Sequence, residues 1–368
     1  MIPVAFPSGY FYLTVLVSFL AGVALVGWLA VLAFSGGARA AFGRRRVLCG
    51  LLMLALGVAA AFDVWLYVGV KQIERKYAAQ EAALQLTLDA PRTLGGIAMP
   101  AGTRLRLERA GHPESYVTAT FPAPVGVRGV PAASLSRNVQ VQRNDAYAVT
   151  GTHAEEVVLR GAGTHEIDGW RCDLAEGITL ETDADEAPAG LRLCKLGPGN
   201  DAIAGLPAGA ALIATHGTLY GDGFRADDVW RIDVDTGHAL TLRGLALDGP
   251  SIYLDAARRL VRIDDGALVC PLALGEMRYP AGTRVRTAGR VGDDPAAWLF
   301  SPWDEAGAER AGHDTVPEGM SVLQGADGAV RGLYRNEEVG VVRFMTLIVD
   351  GAAPAPTRAP CPAGAAAR

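Results

Sequence analysis

Five cysteines and six histidines are the side chains of this 368-residue chain best equipped for nucleophilic or metal chemistry. Their spacing argues against both. The histidines stand singly at 112, 153, 165, 216, 238 and 313, and no two cysteines form the Cys-x-x-Cys step of a zinc site. A Cys–His pair would have to be assembled in space, for instance from Cys172 or Cys194 with His165 or His216, because a thiol needs a neighbouring base to become a thiolate. Cys194 and Cys270 share a place in a recurring phrase, Gly four residues before and Leu two after, which favours packing over catalysis. Asp233-Val-Asp235-Thr-Gly237, with Asp227 and Asp228 nearby, resembles half of a calcium loop but lacks its third acidic position and closing Glu. A phosphate-binding loop needs a lysine after a Gly-rich turn, and beyond residue 77 only Lys195 remains. Gly319-Met-Ser-Val-Leu lacks the second glycine of a nucleophile elbow, and no His-Glu-x-x-His occurs. The sequence therefore names no catalytic, cofactor-binding or metal-binding residue and predicts no cofactor.

The elements that position the rest of the chain lie in residues 1–76. Two apolar stretches, 11–34 and 47–70, hold 24 residues each. At about 1.5 Å per residue, each spans a hydrocarbon core of roughly 30 Å with some tilt. No charge precedes Arg39, so the first stretch lacks the basic start of a signal peptide and reads as a retained span. Arg39, Arg44, Arg45 and Arg46 fill the connection without an acidic residue, whereas Lys71, Arg75 and Lys76 beyond the second span are diluted by Glu74. The positive-inside rule puts that connection in the cytoplasm and both termini outside it. The expected location is a bacterial inner membrane, crossed twice, with the termini in the periplasm. Asp63 is the single charge within the spans. It reads as a carboxylate reaching headgroup water beside Trp65 and Tyr67, against the sharper alternative of an ion path or a helix contact. Ser18 with Gly22, and Gly57 with Ala61, are small pairs at helical spacing that would let the spans pack closely.

Charge separates the two parts. Residues 1–76 hold seven basic and two acidic side chains, which leaves 27 basic and 37 acidic in 77–368, a net charge near −10. Such a surface excludes nucleic-acid binding, which needs a basic face. With three lysines against 31 arginines, the basic residues reflect coding bias rather than function. Cys49 lies within the second span, while Cys172, Cys194, Cys270 and Cys361 follow it. In a periplasmic domain those four permit three disulfide pairings, none selected by spacing.

Residues 77–89 read as a helical stalk or linker, rich in Ala, Gln and Glu, and 90–350 as strands and turns. Residues 100–107 (PAGTRLRL) and 280–287 (PAGTRVRT) agree at six of eight positions. A turn phrase recurs as Val127-Arg-Gly-Val-Pro-Ala-Ala133 and Ile203-Ala-Gly-Leu-Pro-Ala-Gly209, with degenerate copies from Ile167 and Thr315. In TRLRLE, Leu105 and Leu107 point one way and Arg104 and Arg106 the other. Each unit is a hairpin or rung that buries its apolar face only against a neighbour. The pattern Gly-x-x-x-Cys-x-Leu followed by Ile-x-Gly-x-Pro resembles a repeat of uncharacterised bacterial proteins and is loosely similar to the hairpin repeats of MORN-like, antitoxin-type proteins. The resemblance covers roughly 90–330, lacks the Tyr-Glu-Gly phrases of true MORN repeats, and implies architecture without an active site. Residues 215–265 fit the period worst, 344–349 read as a last strand, and the Pro/Ala-rich 351–368 reads as a disordered tail.

The predicted fold is thus a membrane-anchored, mainly-β protein: a two-helix transmembrane hairpin followed by a β-hairpin-repeat domain, solenoid-like or an elongated sheet. The predicted function is non-enzymatic. The lipid bilayer holds the hairpin, and the outer domain binds another protein or an envelope polymer, with no nucleic acid. The alternatives are an immunity-type protein that neutralises a periplasm-acting toxin, and an envelope hydrolase using Cys/His or acidic residues.

Overall fold

Uninterrupted apolar sequence without proline builds α1 (Gly9–Phe34) and the first two-thirds of α3 (Arg46–Ala83), and the short α2 (Gly36–Arg44), which carries Arg39 and Arg44, lies between them. The computed structural model describes residues 9–145, 147, 149–292, 294, 296–302, 307–341 and 357–361. The chain divides into two units, Met1–Gln85 and Leu86–Arg368. In the first, α1 and α3 are each long and apolar enough to cross a membrane. Ser35 caps α2, its Oγ accepting from the Ala38 amide at 3.3 Å. α3 runs on past the second apolar stretch, where Lys71 Nζ meets Glu74 Oε2 at 2.7 Å, and ends at Ala83, so only the first half of the expected 77–89 stalk is helical and 85–87 already forms a strand that joins the larger sheet.

α1 buries Ser18 and Ala21. At Gly22 a Cβ would lie 3.6 Å from the Ala60 Cβ, so the absence of a side chain there lets the two helices approach. Gly57 faces open space, so the close approach falls at Ala60 and not at the expected Gly57/Ala61 pair. Asp63 lies one turn beyond Ala60 on the same face. Asp63 is half-buried, and its Oδ1 is shielded and accepts no hydrogen bond.

The second unit is mainly β. Its larger sheet has eleven antiparallel strands hydrogen-bonded in chain order: Gln85–Thr87, Arg104–Leu107, Tyr116–Val127, Val130–Arg143, Val149–Arg160, Ile178–Thr182, Pro188–Lys195, Ala211–Ala214, Trp230–Asp233, Ser251–Leu254 and Leu260–Asp264. A second sheet of seven follows the same rule, from Ala239–Leu242 and Leu245–Asp248 through Gly266–Leu268 and Arg284–Thr287 to Val330–Arg335. Between sheet strands the chain makes small separate pairings, the hairpins Arg92–Leu94 with Ile97–Met99 and Thr164–Ile167 with Trp170–Asp173, and a hairpin Leu272–Leu274 with Met277–Tyr279 that Glu309–Arg310 extends to three strands. Among the described residues neither sheet closes on itself.

Turn chemistry explains the hairpins. Gly95-Gly96, Arg128-Gly129, Asp168-Gly169 and Arg243-Gly244 are two-residue loops with both φ positive, the turn whose twist matches paired strands and that glycine adopts without strain. The two Pro-Ala-Gly-Thr segments share one backbone arrangement. Thr103 Oγ1 donates to Pro100 O and Thr283 Oγ1 to Pro280 O, both at 2.8 Å. Gly102 N donates to Leu88 O at 2.7 Å and Gly282 N to Leu268 O at 2.8 Å. At Val127-Arg-Gly-Val-Pro-Ala-Ala133 only the first half of the expected phrase is a turn, because Pro131 and Ala132 continue the strand and pair with Gly126 and Val125.

Arg104–Leu107 exposes its arginines and buries Leu105 and Leu107, as the alternation predicts. The main apolar core joins the inward residues of the larger sheet (Leu135, Leu159, Ile178, Ile232) to the small hairpins through Ile97 and Trp170. The expected strand 344–349 lies outside the described residues. Of the tail expected to be disordered, 357–361 is placed against the second sheet, because Cys361 is bonded to Cys270 and Ala359 is buried beside Val269.

Candidate functional site

The cysteines are consumed in pairs. Of the three possible pairings the structure holds Cys172–Cys194 and Cys270–Cys361. Cys172 sits on a hairpin strand and Cys194 on a sheet strand, both completely buried, so their bond staples hairpin to sheet. His165 is the cross-strand partner of Cys172, as a Cys–His pair would require. With the sulfur already bonded to Cys194 no thiolate is available, and the His165 ring meets the Ala162 carbonyl through Nε2 at 2.9 Å. His216 faces the Glu181 carboxylate at 2.6 Å. The cysteine-based hydrolase expected as an alternative therefore has no nucleophile at these positions. Cys49 is free.

The aspartates of the half calcium loop separate. Asp233 Oδ1 accepts from Arg231 Nε at 2.7 Å and from Ser251 Oγ at 2.6 Å, while Asp235 lies 3.8 Å from Lys195 Nζ. Among the described residues no three His, Cys, Asp or Glu side chains gather in a way that would hold a metal ion.

What the structure assembles instead is a polar cluster on the outer face of the larger sheet. Strand register lines up Arg231, Tyr253 and Arg262 in one row and Asp233, Ser251 and Asp264 in the next, opposite the buried Ile232, Ile252 and Ile263. The Arg262 guanidinium stacks 3.3 Å from the Tyr253 ring centroid and donates to Asp264. Residues 215–229, the connection between Ala211–Ala214 and Trp230–Asp233, fold over this row as a flap. Thr218 Oγ1 accepts from Arg262 Nη2 at 2.9 Å and donates to Asp228 Oδ2 at 2.8 Å, and Asp228 is wholly buried 4.0 Å from Arg262.

Pairing and burial shape the charges of this row. Burial works against the charge on Arg231, but the hydrogen bond and charge of Asp233 outweigh it and raise its pKa. Burial pushes the Tyr253 hydroxyl up and so keeps it protonated. Arg286, on the adjoining strand Arg284–Thr287, donates to Val339 O, and burial lowers its pKa. The contacts of Arg262 with Thr218 and of Thr218 with Asp228 fix the flap to the sheet.

The flap tip is a different surface. Leu219 is 61% and Phe224 48% exposed. A short internal turn holds them up, with Tyr220 N donating to Phe224 O at 2.8 Å. Arg290 lies 4.7 Å from the Phe224 ring centroid and 2.6 Å from Asp222, whose carboxyl is held below its usual range by the Phe224 amide and then by Arg290. An exposed apolar tip on a polar, charge-clamped base is the kind of anchor that protein interfaces use.

A second buried cluster pins the other end of the unit. Arg137 points inward, its side chain 1% exposed, and donates to Glu186 and, at 3.0 Å, to Glu114 O. It stacks 4.3 Å from the Tyr116 ring centroid, and burial pushes the Tyr116 hydroxyl up. The Glu186 loop is thereby held against the hairpin at Gly95-Gly96, where a Cβ on Gly95 would come 3.4 Å from Glu186 O.

Comparison with family models, curated proteins and solved structures finds no match to this chain. The residues above therefore carry the functional argument alone. Sequence reasoning missed the flap cluster. The alternation in Trp230-Arg-Ile-Asp-Val places Arg231 and Asp233 on one face, but their meeting with Tyr253, Arg262 and Thr218 depends on register across three strands.

Proposed function

We propose that this chain is a non-enzymatic protein of a bacterial inner membrane, anchored by α1 and α3, whose β-unit stands in the periplasm and binds another protein or an envelope component. The observation that carries the binding reading is the clamped flap with Leu219 and Phe224 exposed at its tip. Orientation rests on two independent supports. Four arginines lie in and beside the α1–α3 connection, which favours the cytoplasm for that side. All four cysteines beyond the helices are paired, which suits an oxidising compartment for the other. The recurrence of Pro-Ala-Gly-Thr turns with the same hydrogen bonds supports reading the β-unit as a tandem array of hairpin units, the architecture of extended binding surfaces.

Two measurements test this. A reporter that folds only in an oxidising compartment, fused after Arg368, is active if the β-unit is periplasmic; a cytoplasmic result overturns the orientation. A photocrosslinking residue at Phe224 yields a discrete adduct in cells that is lost in Leu219→Ser. Absence of any adduct at Phe224, with the fusion active, overturns the binding role of the flap and leaves the orientation standing.

A further inference from the structure

The two disulfides differ in their surroundings. Cys172 and Cys194 are completely buried, in the core between hairpin and sheet. Cys361 is exposed, and its partner Cys270 is 7% exposed. Exchange begins when a thiolate approaches one sulfur in line with the bond, so access decides which bridge opens first.

The exposed bridge holds the segment 357–361 against the second sheet. Around Cys361 the segment 357–361 buries one side chain, Ala359, in a cluster with Val269 and Cys270 against which Ala246 packs. Arg358 lies over Gly282, where a Cβ would come 2.5 Å from Arg358 Nη1, and Thr357 O is 3.2 Å from the place of a Cβ on Gly237. Glycine at both positions makes the bed for the strap. The bridge itself ties this segment to a residue 91 positions away.

We propose that Cys270–Cys361 is a thiol-exchange site, opened at the Cys361 sulfur by a dithiol reductant, which frees 357–361 from the second sheet while Cys172–Cys194 stays closed. One thiolate of the reductant attacks Cys361 Sγ, forms a mixed disulfide and expels Cys270 as a thiolate that takes up a proton. The second thiol of the reductant then displaces Cys361 and closes its own disulfide. Two electrons and two protons pass from the dithiol to the cysteines. Release uncovers the apolar bed at Ala246 and Val269. The supply of such a reductant in the cell rests on the periplasmic reading above.

The test uses the full chain purified in detergent without reductant. It is titrated with dithiothreitol, trapped with an alkylating reagent and read by mass spectrometry, with trypsin cleavage after Arg358 followed in parallel. Cys270 and Cys361 label faster than Cys172 and Cys194 by on the order of tenfold or more. Arg358 is cut slowly in the oxidised protein and rapidly after selective reduction. Cys361→Ser keeps the buried bridge and shows rapid cleavage at Arg358 with no reductant. Simultaneous opening of both bridges, earlier labelling of Cys172 and Cys194, or equal cleavage at Arg358 in oxidised and reduced protein overturns the proposal. Immediate alkylation of intact cells separates the two readings: four reduced cysteines there would sink the periplasmic placement without touching the order of opening in the purified chain.

Discussion

Truncating Glu186 to alanine strands a guanidinium. Arg137 is 1% exposed at its side chain and Glu186 24%, so the two ends of the pair are unequally wet. Breaking a buried pair from one side costs about 3–5 kcal/mol, because the remaining charge has lost its water and its partner. Arg137 retains the Glu114 carbonyl at 3.0 Å and the Tyr116 ring at 4.3 Å, the ring contact worth about 0.5–2 kcal/mol. These place Glu186→Ala near the lower end, about 3 kcal/mol. Arg137→Met fills the same space without charge and leaves Glu186 to turn toward water and His153, which lies 3.4 Å away. It loses the donor to Glu114 O and costs about 1–2 kcal/mol. The double variant removes the buried charge altogether and costs about the same 1–2 kcal/mol, so the cycle carries a coupling of roughly 3 kcal/mol. Urea unfolding of the full chain in detergent, followed by tryptophan fluorescence, reads this. With a slope near 3 kcal/mol/M, Glu186→Ala lowers the midpoint by about 1 M, and adding Arg137→Met restores part of it. If Arg137→Met costs more than Glu186→Ala, or the two losses simply add, Arg137 is not a desolvated charge dependent on Glu186.

Two further outcomes follow from the same packing. Burial raises the hydroxyl pKa of Tyr116, Tyr253 and Tyr279 above the ordinary tyrosine value. The stability this represents is complete below about pH 10, where the unfolded tyrosines are also protonated, and is lost as pH rises toward the folded values, since only the unfolded chain releases protons. A tyrosinate absorbance titration should therefore show late-ionising tyrosines together with a urea midpoint that falls above pH 10; simple titration of all tyrosines near pH 10 with native structure retained contradicts it. Gly169 and Gly129 occupy equivalent turns, with φ of 76° and 83°. Only at Gly169 would a Cβ run into Arg258, which donates to Asp168 O at 3.2 Å and stacks 4.6 Å from the Trp170 ring centroid. Alanine costs about 1–2 kcal/mol at either site for its backbone and about 0.5–1 kcal/mol more at Gly169 for the lost stacking; equal urea midpoints for the two variants would show that Arg258 contributes nothing.

Composition and local pattern determined much of this protein. The runs 11–34 and 47–70 form α1 and most of α3 because an apolar segment without proline satisfies its own backbone, and the Ala, Gln and Glu of 77–83 continue α3 before the chain turns into a strand at 85–87. The alternation at Arg104–Leu107 and the glycine turns were readable for the same reason: each depends on neighbours a few residues apart. Everything that pairs distant residues waited for the tertiary structure. Spacing left three disulfide pairings open, and sheet register chose between them by bringing the Cys172 hairpin under the Cys194 strand. Arg231, Tyr253 and Arg262 are unremarkable in sequence, and they form one row only because three strands align without a slip of one residue. Arg137 looks like a surface arginine until Tyr116 and Glu186 close around it. The sequence writes the periods of its elements, which act over one turn or one strand. The partners of its charges and sulfurs are written in the packing of those elements, where a single step of register changes every one.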